Sequence, residues 1–147
     1  MKPILLDTNL LIALIWPTHI HHHRVTSWFA ANRAKGWATC PIVEAGFVRI
    51  VSNPAFSRDA LNPAQATQLL SQNTTAQDHH FWKDDISFPK AVRPFAAKIV
   101  GHQQVTDAYL WGLALNKGGL FATMDKSAED LVEPRSPLRK SLHLVGI

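Results

Sequence analysis

The chain has 147 residues, 46% of them hydrophobic, which is the size of one domain with enough apolar mass for a real core. No run approaches the ~20 apolar residues of a membrane-spanning helix, and the N-terminal segment lacks the basic start and small-residue cleavage site of a secretion signal, so a cytoplasmic protein is expected. The formal charge of +4 favours polyanionic partners only mildly, and the lone Cys40 excludes both an internal disulfide and a paired-cysteine zinc or redox motif, leaving a small buried hydrophobe.

The apolar run Ile4-Leu5-Leu6 ends in Asp7, and residues 8 to 14 follow as a helix stopped by Trp16-Pro17, so a buried strand feeds a helix. A second helix is predicted over residues 22 to 34, where Val25, Trp28, Phe29 and Asn32 recur at helical spacing before Gly36 closes it. Residues 37 to 40 read as a strand, and Pro41 suits the first turn of a helix over residues 42 to 51 that Asn53-Pro54 ends. Asn62-Pro63 opens another helix running to residue 73, and residues 79 to 85 read as a strand. Residues 88 to 102, proline-interrupted and basic, read mostly as loop with one short helical turn. A strong helix from Gln103 or Thr106 to Asn116 ends at Gly118-Gly119, residues 120 to 123 form a strand leading to Asp125, and residues 142 to 145 form a last strand. Strands alternating with helices in one undivided domain over residues 1 to 147 predict a mostly parallel sheet covered on both faces, its strand C-terminal ends along one functional edge. Trp16, Trp28, Trp37, Trp82 and Trp111 sit mostly within apolar periodic segments and read as core or dimer-contact residues.

Asp7 and Asp125 each follow an apolar strand and so emerge at the same edge of a parallel sheet, although each alone fits a helix N-cap. Glu44 shares a helix face with Phe47, Val48 and Val51, where an unpaired carboxylate is costly unless it reaches water. Asp107 fits a first-turn aspartate behind a Thr106 cap. Brought to one edge together, these carboxylates would raise each other's pKa unless a cation neutralised them. Mg²⁺ or Mn²⁺ suits an all-oxygen site of this kind, completed by substrate phosphate, and the chemistry it supports is phosphodiester hydrolysis. Two other readings stay open: a zinc site on His19, His21, His22 and His23, and an inert RNA- or protein-binding module with the same fold.

Leu5-Leu6-Asp7-Thr8-Asn9 resembles the opening motif of the PIN-domain family. In order after it, Ile42-Val43-Glu44 resembles the family's helix-borne glutamate, the segment from Val105 through Asp107 to Leu110 its third acidic motif, and Thr123-Met124-Asp125 its final Thr-x-Asp. The match spans nearly the whole chain and is strongest to VapC-type toxins. The resemblance implies an α/β/α sandwich, a Mg²⁺- or Mn²⁺-dependent endoribonuclease, a homodimer, and a VapB-type antitoxin that occludes the acidic pocket. It further implies that Asp7, Asp107 and Asp125 hold the ion, that Glu44 orients or deprotonates the attacking water, and that Asn9 and Thr123 support the ligands or water. Where some relatives carry another acid two or three residues after the last aspartate, Asp125 is followed by Lys126-Ser127-Ala128-Glu129-Asp130, so a second tightly held metal is not expected. Arg49, Arg93 and Lys126 are candidate RNA-backbone contacts.

Overall fold

The computed structural model describes residues 2–146. Strands β1 (Ile4–Leu6), β2 (Trp37–Thr39), β3 (His79–Phe81), β4 (Leu120–Thr123) and β5 (Leu142–Leu144) form one sheet in the order β3-β2-β1-β4-β5, and every pairing is parallel. Helices α1 (Thr8–Ile15), α2 (His22–Asn32), α3 (Pro41–Val51), α4 (Pro63–Thr74), α5 (Phe88–Ala91) and α6 (Val105–Asn116) connect and flank the strands. Successive strand residues face opposite sides of a sheet, so the complete burial of Ile4, Leu5 and Leu6 means that both sides are covered, as the α/β/α sandwich requires.

The strand order fixes where chemistry can sit. From central β1 the chain builds outward through β2 to β3, then returns to the opposite side of β1 for β4 and β5. The order therefore reverses between β1 and β4, and a crevice opens there beyond the strand C-termini. Asp7 follows β1 and Asp125 lies just beyond β4, so the topology alone delivers both to that crevice.

Capping chemistry sets several boundaries. Asn62 and Gln65 form a reciprocal capping box at the start of α4, with Pro63 in the first turn, and Pro41 takes the same first-turn role in α3. The helix expected over residues 22 to 34 stops at Asn32 and tightens into a 3₁₀ turn, Arg33–Lys35. The strand expected over residues 79 to 85 is only His79–Phe81, because its sole partner β2 is three residues long. The Trp82 N–H makes a last bond to the Thr39 carbonyl (2.9 Å), and the chain then leaves the edge. Residues 88 to 102 hold α5 and a 3₁₀ segment, Arg93–Lys98, anchored by fully buried Phe95, rather than mostly loop. Further 3₁₀ segments occupy Lys126–Leu131 and Pro137–Ser141.

Helix α6 is the keystone of the core, with every residue from Asp107 to Ala114 buried. Trp111 stacks on Phe95 at 4.7 Å and its indole N–H donates to Ser141 Oγ at 2.7 Å. Trp16, Trp37, Trp82 and Trp111 are buried, and Trp28 packs against the core edge-on to His143, as expected of core aromatics. Cys40 is fully buried, and burial pushes its thiol pKa up, which makes it inert. Among the described residues no helix is long and apolar enough to cross a membrane.

Candidate active site

Asp7 sits where strand becomes helix. Its N–H still belongs to the sheet, donating to the Ala122 carbonyl at 2.9 Å, while Oδ1 accepts from the Thr8 N–H at 2.7 Å and so caps α1. The second oxygen, Oδ2, accepts from the Thr123 hydroxyl at 2.7 Å. That hydroxyl oxygen also accepts from the Asp125 N–H at 3.0 Å, so one buried threonine ties the two strand-end aspartates together. Asp125 in turn caps the following 3₁₀ segment, with Oδ1 accepting from the Ser127 N–H (2.9 Å) and hydroxyl (2.7 Å). Both aspartates are thus caps as well as crevice residues.

Asp107 reaches the same place from the first turn of α6. The predicted Thr106 cap is not formed: α6 begins at Val105, and Gln104 stands at its cap position without a side-chain bond. Asp107 is 7% exposed and close enough to Asp7 and Asp125 for both carboxylates to act on its titration. Burial, the charge of Asp7 and the contact with Asp125 push its pKa up to about 8. Burial also raises Asp7, against the bonds from Thr123 and Thr8, whereas Asp125, despite partial desolvation, is held low by Ser127 and Asp107. At neutral pH a proton on Asp107 therefore does the neutralising that a cation would otherwise do.

These residues suit a hard divalent ion in donor type, since all are carboxylates, and in charge, since burial raises Asp7 and Asp107 and no cationic side chain of the described residues is among the groups that act on them. Among the described residues no group of three His, Cys, Asp or Glu side chains is drawn together as a ready ligand set.

Glu44 stands on the other side of β1. It lies in the first turn of α3, half-buried, with Oε2 accepting from the Thr39 hydroxyl at 2.7 Å. Its charge bears on His79 and Cys40, not on the three aspartates. Helix α3 nevertheless lies tight against the start of α1: a Cβ on Gly46 would come within 2.9 Å of the Thr8 side chain. The structure thus gathers Asp7, Asp107 and Asp125, and holds Glu44 apart from them on Thr39 at the end of β2.

Of the remaining candidates, Asn9 is exposed in the first turn of α1 and makes no hydrogen bond to the aspartates among the described residues, unlike Thr123. Arg49, Arg93 and Lys126 are exposed, Lys126 directly after Asp125. Asp130 faces solvent and Glu129 pairs with Arg139 at 3.1 Å, so neither extends the acidic group. In the histidine run, His19 Nδ1 accepts from the His21 N–H and His22 Nδ1 meets the Ala13 carbonyl, so two of these rings are engaged in helix entry. Sequence reasoning missed Thr39 and His79, which hold Glu44; a strand-end threonine shortly before an acid, as at Thr123-Met124-Asp125, is the signal that points to Thr39.

No family model matches the chain. Ribonuclease VapC38 of Mycobacterium tuberculosis is 43% identical over 136 residues, covering 91% of this chain and 94% of the relative. The chain belongs to the VapC family of PIN-domain ribonucleases. Ribonuclease VapC39 of the same organism is 40% identical to this VapC-family chain, covering 86% of it and 91% of the relative. Among solved structures, VapBC2 from Rickettsia felis, bound to a DNA fragment from its promoter, aligns with a TM-score of 0.61 at 14% identity, covering 97% of each chain. FitAcB from Neisseria gonorrhoeae aligns at 0.59 and 17%, covering 95% of this chain and 96% of that one. At such identities these two structures establish the shared PIN-type fold of the VapC-family chain, and the closer sequence relatives establish its family.

Proposed function

We propose that this VapC-family chain is a Mg²⁺- or Mn²⁺-dependent endoribonuclease, the toxin of a VapBC-type pair, acting in the cytoplasm as a homodimer held in check by a VapB-type antitoxin. One observation carries the reading: three aspartates from β1, α6 and β4 converge at the topological switch point, and Asp107 is pushed to about 8 by burial and its two acidic neighbours. The names of the ribonuclease relatives support RNA as substrate, and the VapBC2 complex supports an antitoxin partner.

Asp7, Asp107 and Asp125 would hold the ion directly or through water. Such an ion, when bound, lowers the pKa of a water and offsets charge on the phosphoryl oxygens. Thr123 and the Thr8 N–H fix the Asp7 carboxylate, and Ser127 fixes Asp125, so these ligands are set before substrate arrives. Glu44 orients the attacking water and takes its proton as the new P–O bond forms in line with the bond to the leaving 3′ oxygen. That bond breaks, the 3′ oxygen takes up a proton, and the products are a 5′-phosphate and a 3′-hydroxyl. Lys126, with Arg49 and Arg93, would contact the RNA backbone without reading bases.

The test is cleavage of a defined RNA by purified wild type and Asp107→Asn, each with Mg²⁺, Mn²⁺ or EDTA. Wild type should cut only with metal and the variant should not cut. Turnover by Asp107→Asn, or turnover in EDTA, would sink the mechanism, and RNA binding without turnover by wild type would favour the inert module.

A further inference from the structure

Two threonine hydroxyls stand at the functional edge, one on each side of β1. Thr123 ends β4 and holds Asp7, while Thr39 ends β2 and holds Glu44. Thr39 is fully buried, and its Oγ1 lies 2.7 Å from Glu44 Oε2 and 2.7 Å from His79 Nε2. An ionised carboxylate only accepts, so the hydroxyl proton points to Glu44, and the hydroxyl oxygen accepts from an Nε2–H on His79.

The ring of His79 is itself fixed. It packs edge-on against Trp37 at 4.6 Å, and the Trp37 indole N–H donates to Asp78 Oδ1 at 3.0 Å, while Asp78 Oδ2 accepts from Arg33 Nε at 2.7 Å. Burial holds His79 below the ordinary imidazole value, against the pull of the Glu44 carboxylate and a bond to the Thr74 backbone, and it is the two 2.7 Å contacts of Thr39, with Glu44 able only to accept, that put an N–H at Nε2. A chain of fixed groups thus runs from the outer edge of the sheet through Trp37, His79 and Thr39 to Glu44. Glu44 has no other side-chain partner among the described residues, so its aim depends on this chain.

Building on the reading of Glu44 as the group that handles the attacking water, we infer that Thr39 is a positioning residue for Glu44 and that His79 sets the direction of the Thr39 hydroxyl. Neither touches substrate. Their effect falls on the chemical step, because a misaimed carboxylate still allows RNA to bind.

Kinetics on a defined RNA with Mn²⁺ decide it, using wild type, Thr39→Val, Thr39→Ser, Glu44→Gln, Thr39→Val with Glu44→Gln, and Asp107→Asn as the inactive reference. Loss of a supporting hydrogen bond of this kind costs about 10- to 100-fold, so Thr39→Val should lose that much in kcat with KM little changed. Thr39→Ser, which keeps the hydroxyl, should recover most of the loss. On the Glu44→Gln background Thr39→Val should have no further effect, the non-additivity of two residues acting through one group. A Thr39→Val kcat equal to wild type, or a loss of the same size on the Glu44→Gln background, overturns the positioning role while leaving the nuclease reading intact. A wild type that cuts nothing overturns both. Should Thr39→Val melt too low to assay, His79→Leu against His79→Gln replaces it: Gln can donate to Thr39 and should retain turnover that Leu loses, and equal rates for the two overturn the inference.

Discussion

Thr123 does two jobs with one oxygen, donating to Asp7 and accepting from the Asp125 N–H, and it is fully buried while doing so. Replacing it with valine keeps the shape but leaves a buried carboxylate oxygen and a backbone N–H without their partner. Leaving a buried polar group unsatisfied costs about 1–3 kcal/mol, so Thr123→Val should lower the unfolding free energy by about that amount in urea. The Thr123 bond holds Asp7 down against desolvation, so its loss raises Asp7 further and makes the ionised ligand harder to form. Mn²⁺ affinity by calorimetry should therefore fall about 10- to 100-fold. Thr123→Ser should keep both properties near wild type. Unchanged Mn²⁺ affinity in Thr123→Val would show that the hydroxyl has no part in preparing the site.

At the level of elements, α6 places Asp107, and its position is set by close contact with α5. A Cβ added at Gly112 would overlap the Ala91 carbonyl, which belongs to backbone and cannot swing aside. Overpacking of this kind typically costs 1–3 kcal/mol or more, which exceeds the ~1 kcal/mol an alanine gains over glycine in a helix. Gly112→Ala should therefore be destabilised in urea, and because α6 must shift, it should lose nuclease activity beyond what unfolding explains; a stabilised variant would contradict this packing. The helices and central strands were legible in the sequence because their signals are local: the apolar run before Asp7, the Pro41 and Asn62-Pro63 starts, and the long apolar face of α6. Asp7 and Asp125 were legible as a pair because strand order, not local propensity, carries both to one edge, whereas Asp107, on α6, was joined to them only by the motif resemblance. What the sequence hid depends on partners distant along the chain. β3 is cut short by the length of β2, the 3₁₀ segment Arg93–Lys98 is held by buried Phe95, and Thr39 and His79 are 40 residues apart and meet only through sheet register. Asn9 is a motif residue that stands exposed and makes no hydrogen bond to the aspartates among the described residues.

For the whole molecule, the acidic centre makes stability depend on pH with a sign opposite to that of an ordinary surface carboxylate. Folded Asp107 titrates at about 8 against a reference of 3.8, so in that range the folded chain keeps a proton that the unfolded chain has released. Its contribution is fully present at low pH and is lost as pH rises through the folded value. Half-buried histidines work the other way: desolvation holds His19, His79 and His143 below 6.5, so they cost stability as pH falls below that value and contribute little above it. Asp78 and Asp85, lowered by their bonds to Arg33 and Lys117, stabilise the fold only above the unfolded carboxylate range and are constant by then. The window from 6.5 to about 8 therefore isolates the aspartate centre. In EDTA, the unfolding free energy of wild type should fall across it, Asp107 contributing at most about 1.4 kcal/mol per pH unit, the limit for one proton. Asp107→Asn lacks the group that titrates near 8 and should fall less steeply than wild type over this window. Saturating Mn²⁺ should flatten wild type as well, because the ion takes over the neutralisation, and should raise stability by about 2.7 kcal/mol at a hundredfold excess over its Kd. A metal-free wild type whose stability is level or rising over this window would show that Asp107 is ionised without a cation, and that the crowding of charge at the switch point is not what calls for one.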